Sequence, residues 1–158
     1  MTKECKQQFT LRITQANSTE LVVILYEMLL VYLDEGETAC KAENREELRE
    51  AVRKARSCIN ELMHSLNLEY EPAPALLQLY LYCVRRLALG EVRRDDTCFE
   101  EIRRVIQPLH DAYTKIAAEN HLGPVMNNSQ AVYAGLTYGR NTLTENMADQ
   151  GANRGMLV

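Results

Sequence analysis

Between Leu21 and Leu33 the chain reads LVVILYEMLLVYL, and Glu27 is the one residue of the thirteen that is neither apolar nor aromatic. The run follows Asn17-Ser18-Thr19-Glu20, where an Asn cap with a glutamate three residues on predicts a helix start. At helical spacing Leu21, Leu25, Met28, Leu29 and Tyr32 form one stripe, and Val22, Tyr26, Leu30 and Leu33 form a second. A surface helix of a small bundle needs a single apolar stripe. Something must therefore cover the second, and what covers it becomes the functional question.

Ahead of this run Phe9, Leu11 and Ile13 alternate with Thr10, Arg12 and Thr14, a period of two that predicts an extended N-terminal arm over residues 1–16. Such an arm either lies on the over-apolar helix or frays. The helix itself is expected from Ser18 to about Cys40. Asn44-Arg45-Glu46-Glu47 repeats the capping pattern and opens a second helix, with Leu48, Ala51, Val52, Ala55, Ile59, Leu62, Met63 and Leu66 on one face. The two prolines of NLEYEPAPA end it near Leu66, and a third helix starts between Ala73 and Leu76. From Leu76 to Leu89 eleven of fourteen residues are apolar or aromatic. Tyr80 and Tyr82 are two apart and cannot share a helical face, so this helix too carries more apolar surface than one core absorbs. Asp95 or Asp96 is expected to cap a fourth helix striped by Phe99, Ile102, Ile106, Leu109, Tyr113 and Ile116, kinked at Pro108 and fading near Asn120.

After His121 the helical period is lost. Five of the seven glycines and five asparagines fall between there and Val158, which predicts a disordered tail. Within it Val132 to Gly139 forms an apolar patch, and residues 131–139 are expected to act as a second cap on the bundle. The reading is all-α, an antiparallel four-helix bundle: arm 1–16, bundle domain 17–120, flexible tail 121–158.

Composition narrows the functional classes. Eighteen Lys and Arg stand against 22 Asp and Glu, and the six arginines between Arg85 and Arg104 alternate with Glu91, Asp95, Asp96, Glu100 and Glu101. That mixture excludes the one-sided basic stripe of a nucleic-acid binder. The apolar run falls short of the ~20 residues that span a bilayer, and no secretory leader pattern opens the chain, so a soluble cytoplasmic protein is expected. The five cysteines contain no Cys-x-x-Cys and read as reduced small hydrophobes. Glu61 and His64 have the E-x-x-H spacing of di-iron bundles, but that site needs two such motifs and two more inward glutamates. His110 and His121 are preceded three back by Gln107 and Ala118. With no phosphate loop and no nucleophile elbow, neither a cofactor nor a metal is expected. Surplus apolar surface on a helical bundle marks a protein that holds a polypeptide. Self-pairing into a structural homo-oligomer is the alternative from another class, and a metal-dependent oxidoreductase rests on Glu61 and His64 alone.

Three local strings in helical order carry a family resemblance. They are Gln15-Ala16-Asn17-Ser18-Thr19-Glu20-Leu21 followed by Leu25-Tyr26-Glu27, then Glu61-Leu62-Met63-His64-Ser65-Leu66-Asn67, then Leu79-Tyr80-Leu81-Tyr82 with Arg85-Arg86-Leu87. Over about residues 9–118 the chain resembles the FliS family of flagellar export chaperones. Ser18 stands where that family usually has proline, Glu27 and Asn67 where it has aspartates, and Tyr113 near its usual tryptophan. The resemblance implies a cytoplasmic chaperone, not an enzyme, that binds the disordered C-terminal segment of flagellin, prevents premature polymerisation and serves the flagellar export apparatus. It also implies that the N-terminal arm caps the binding surface when empty, through Phe9, Leu11 and Ile13. The partner-binding residues expected on this basis are Phe9, Ile13, Val22, Tyr26, Leu62, Leu66, Leu79, Tyr80, Tyr82, Leu87 and Tyr113.

Overall fold

Five helices occur in the computed structural model, which describes residues 1–126: α1 (Lys3–Gln15), α2 (Ser18–Lys41), α3 (Arg45–His64), α4 (Ala73–Arg93) and α5 (Thr97–Glu119). The expected tail beyond Met126, with its patch at 131–139, lies outside the described residues. Helices α2 to α5 form the bundle. α2 packs on α3 and α5, and α4 packs on the same two from the opposite corner. Cross-helix pairs fix the antiparallel sense: Arg103 of α5 meets Glu37 of α2 at 3.0 Å while His110 lies 3.6 Å from Glu27, and Arg49 of α3 meets Glu91 of α4 at 3.7 Å.

The caps fall where the polar residues predict. Asn17 Oδ1 accepts from the Glu20 N–H at 2.9 Å and the Glu20 carboxylate accepts from the Asn17 N–H at 2.9 Å, a complete capping box. Asn44 accepts from Glu47 N–H at 3.2 Å, but its own N–H turns back to the Ala39 carbonyl instead of to Glu47. At α5 the capping carboxylate is that of Asp95, which takes the Thr97 N–H at 3.1 Å and the Thr97 hydroxyl at 2.6 Å. α5 continues unbroken through Pro108, which sits on its exposed side. There the missing N–H leaves a carbonyl that water can reach.

One glycine sets a helix crossing. A Cβ on Gly36 would lie 2.7 Å from the Phe99 ring, so α2 and α5 approach this closely only because position 36 has no side chain.

The expected extended arm is the main correction. Residues 3–15 are helical, with Thr2 capping Cys5 N–H at 3.2 Å. Cys5, Phe9 and Ile13 recur every four residues and face α2, whereas Leu11 of the supposed alternating set is exposed. Phe9 and Ile13 are in phase with both periods, and burial of the Cys5–Phe9–Ile13 face decides for the helix. A second correction concerns the tail's first residues. Residues 121–126 return along the junction of α1 and α2, where the Val125 N–H donates to the Ala16 carbonyl at 3.0 Å.

Candidate partner-binding site

The apolar stripe of α5 shows where the core ends. Phe99, Ile102 and Ile106 are fully buried, Leu109 and Tyr113 are half-buried, and Ile116 is 51% exposed. The stripe continues past the last layer of helices that could cover it. At this end a cleft of about 290 Å³ opens between the start of α2, the α3–α4 loop and α5, lined among others by Val22, Leu66, Leu76, Tyr80 and Tyr113. Tyr70 stands at its rim, 66% exposed, and Leu68 of the same loop is also exposed.

The floor is aromatic. Tyr26 and Tyr80 are buried and share a hydrogen bond between their hydroxyls. The Tyr113 ring leans on Tyr26 with centroids 5.7 Å apart at 57°, a tilted geometry favourable for aromatic pairs. Burial raises the pKa of both buried phenols, that of Tyr80 to about 12, so both stay protonated through the neutral range. The two hydroxyls satisfy each other, and the walls offer a shaped apolar surface for side chains of another polypeptide.

On the neighbouring side of α2 lies α1. Phe9 is buried against Ile24, and Cys5, Ile13, Leu21 and Met28 pack around them. Arg12 of α1 makes a forked contact with Glu27 of α2, its Nη2 donating at 3.1 Å. Met1 adds an ammonium contact to Glu35 and a thioether that accepts from the Tyr32 hydroxyl at 3.9 Å. α1 thus covers Leu21, Ile24 and Met28, whereas Tyr26 and Leu33 of the predicted second stripe belong to the main core.

The helix order, the cleft and the α1 cover can now be set beside known proteins. A family model described as flagellar protein FliS matches residues 1–120. The chain belongs to the FliS family. The flagellar secretion chaperone FliS of Bacillus subtilis (strain 168) is 26% identical over 101 residues, which is 64% of this chain and 76% of that relative. A crystal structure of a flagellar chaperone from bacteria shares the fold with a TM-score of 0.61 at 19% identity, covering 74% of this chain and 98% of that one.

Within this FliS-family chain the structure separates the predicted site residues into groups. Val22, Leu66, Tyr80 and Tyr113 meet in the one cleft. Phe9 and Ile13 belong to α1 and face α2. Leu79 is exposed and Tyr82 half-buried on α4. Tyr26, Leu62 and Leu87 are buried in the core with no exposed surface, so in this conformation they are not open to a partner. Residues that the periodicity did not indicate also line the cleft, among them Ser18, Thr19 and Tyr70. The exposed tyrosine in a proline-flanked loop was the available signal for Tyr70.

The metal and membrane questions have structural counterparts. Glu61 and His64 are both exposed at the end of α3, and among the described residues no three His, Cys, Asp or Glu side chains gather as a metal site requires. No helix among them is long and apolar enough to cross a membrane. Cys40, Cys58, Cys83 and Cys98 are buried free thiols and Cys5 is half-buried.

Proposed function

We propose that this protein is a cytoplasmic export chaperone that holds the disordered C-terminal segment of flagellin, prevents its premature polymerisation and supports its delivery to the flagellar export apparatus. Membership of the FliS family supports the class of function, and the Bacillus subtilis relative is itself a flagellar secretion chaperone. The observation that carries the reading is the aromatic-floored cleft, where the α5 stripe runs out of the core uncovered and Val22, Leu66, Tyr80 and Tyr113 converge. An amphipathic segment of the client places its apolar side chains there, and a second segment takes the α2 face now under α1. Apolar burial contributes roughly 25 cal/mol per Å². It must exceed the ordering entropy of a disordered client and the loss of the α1 contacts. Because α1 lowers the fraction of molecules with an open α2 face, it weakens the apparent affinity by that fraction.

The test is calorimetric titration with about forty C-terminal residues of flagellin, a client length able to bury the ~1,000 Å² or more typical of coupled folding and binding. One-to-one binding with a strongly negative heat-capacity change is the expected result. Absence of binding, in a protein whose sedimentation shows concentration-dependent self-association, would favour self-pairing of the apolar surface instead.

A further inference from the structure

Only Ala16 and Asn17 separate α1 from α2, and both are extended, with φ −74° and ψ 139° at Ala16 and φ −75° and ψ 177° at Asn17. Any movement that lifts α1 from its seat must rotate this pair. The hinge is not free. Apart from the buried tyrosines and cysteines, Asn17 is the one buried polar side chain among the described residues, 3% exposed, and its two ends do different things. Its Oδ1 caps α2, while its Nδ2 donates to the carbonyls of Asn120 at 3.4 Å and Leu122 at 3.3 Å. Asn120 answers by donating its own Nδ2 to the Thr19 hydroxyl at 2.8 Å. One turn of chain later Val125 N–H reaches the Ala16 carbonyl at 3.0 Å.

Capping alone does not require this residue. Serine, threonine or aspartate would supply the acceptor equally well, but none of them carries the amide donors that hold the two carbonyls. We propose that residues 120–126 are a strap that locks the α1–α2 hinge and so keeps α1 on α2 in the empty protein. The strap is fastened chiefly by hydrogen bonds and not by burial, since Leu122 and Val125 leave more than half of their surface to water and Met126 nearly half. Polar fastening of that kind contributes a modest net stability per bond, enough to bias a hinge and little enough to be released. The remaining hold on α1 is the Phe9, Ile13 and Cys5 patch, the Arg12–Glu27 pair and the Met1 contacts to Glu35 and Tyr32, so hinge and seat reinforce each other. This concerns the empty molecule and does not depend on flagellin being the client.

Thiol chemistry tests it in the full-length chain. Cys5 rides on α1 and is half-buried at its seat, whereas the other four cysteines are buried in the bundle or at its α4–α5 end. A thiol-reactive reagent under native conditions therefore reads α1 undocking through Cys5, with the other four thiols reporting that the bundle is intact. Asn17→Ser keeps the cap and removes the strap donors; Val125→Pro removes the N–H that reaches Ala16. Each variant is expected to speed Cys5 labelling about fivefold, the ratio that loss of one or two ordinary hydrogen bonds produces, with the buried thiols still unreactive. Cys5 labelling at the wild-type rate in both variants would overturn the strap. Asn17→Ser decides alone should Val125→Pro open the bundle and expose all five thiols. The result is distinguishable from the flagellin reading, because no client is present in the assay.

Discussion

The two apolar faces of α2 are covered in different ways. On the inward face Tyr26, Leu29 and Leu33 have no exposed surface and meet side chains from the rest of the bundle, including Tyr80 of α4 and the apolar stripe of α5. On the outward face Leu21, Ile24 and Met28 meet Phe9, Ile13 and Cys5 of α1 together with the flanking Met1 and Ala16, with a partly exposed ion pair at the side. Burying one large apolar side chain such as Phe9 stabilises by roughly 1.5–3 kcal/mol. Against it stands the cost of ordering a 13-residue helix that is marginal on its own in water. The same residue types thus make a many-sided contact where several helices share the cover, and a one-sided contact where a single short helix provides most of it. On the proposed function, that asymmetry gives a scaffold that stays folded while one face changes partners.

The comparison is broken most severely at the shared core. Phe99→Ala removes a fully buried ring and is expected to cost about 3–5 kcal/mol, read as a lower denaturant midpoint for the whole bundle. On the proposed function, in which α1 detaches while the bundle persists, Phe9→Ala should lower global stability by no more than about 1–2 kcal/mol and should tighten flagellin binding because the competing cover is weakened. Equal losses of global stability from the two changes would mean that α1 is part of the core. Between these lies Gly36→Ala, whose new Cβ meets Phe99 at 2.7 Å. Forcing α2 and α5 apart is expected to cost about 1–3 kcal/mol, measured by the same unfolding curves.

Burial of titratable groups gives a further contrast, because the core holds thiols and phenols and the α1 seat holds one half-buried thiol. Burial raises Cys58 to about 11, Cys83 to about 12 and Tyr80 to about 12, from ordinary values near 9 for thiols and 10 for phenols. Each group therefore stays protonated in the fold when the unfolded chain has already lost its proton. Their contribution is intact below pH 9 and falls as pH rises from 9 toward 12, at about 1.4 kcal/mol per pH unit for each group fully in that window. Thermal unfolding between pH 8 and pH 11 should show this decline, and Cys83→Ala should flatten part of it. A stability that holds level to pH 11 would contradict the placement of these groups in the core.

Much of the bundle was legible in the residues because its signals are local. Asn17 and Asn44 cap, the prolines of the 67–75 stretch interrupt, and the stripes of α3 and α5 repeat at three and four. The cover was not legible in the same way. Phe9 and Ile13, four apart, fit a strand and a helix alike, and the deciding members were Cys5, a weak hydrophobe near the terminus, and the capping Thr2. Stripe counting on α2 does not locate the edge of the core either: Tyr26 falls in the second stripe by spacing, and its hydroxyl meets Tyr80 inside the bundle. The α5 stripe was read correctly as a stripe, but periodicity cannot say that its far end at Ile116 lies beyond the helices that could cover it. Hydrogen bonds between Asn17 and residues about a hundred positions away leave no periodic mark at all.

The smallest effect tests the α1-covered face most directly. Arg12 and Glu27 pair across α1 and α2 while remaining partly exposed, and exposed pairs are worth about 0.2–1 kcal/mol and weaken with salt. A double-mutant cycle with Arg12→Ala and Glu27→Ala isolates that coupling. Read by global unfolding it should be close to zero if α1 opens locally before the bundle does. Read by Cys5 labelling in the native protein it should appear as an increase of about two- to fourfold in each single variant, shrinking in 0.5 M salt, at which charges of this exposure are largely screened. His110 complicates the pair, lying 3.6 Å from the same Glu27 carboxylate, so Glu27→Ala also removes a neighbour of α5 while Arg12→Ala does not. If the salt dependence follows Arg12→Ala alone, the pair belongs to the α1 cover; if it follows only Glu27→Ala, the carboxylate serves chiefly the α2–α5 contact and α1 is held by Phe9, Ile13 and the hinge.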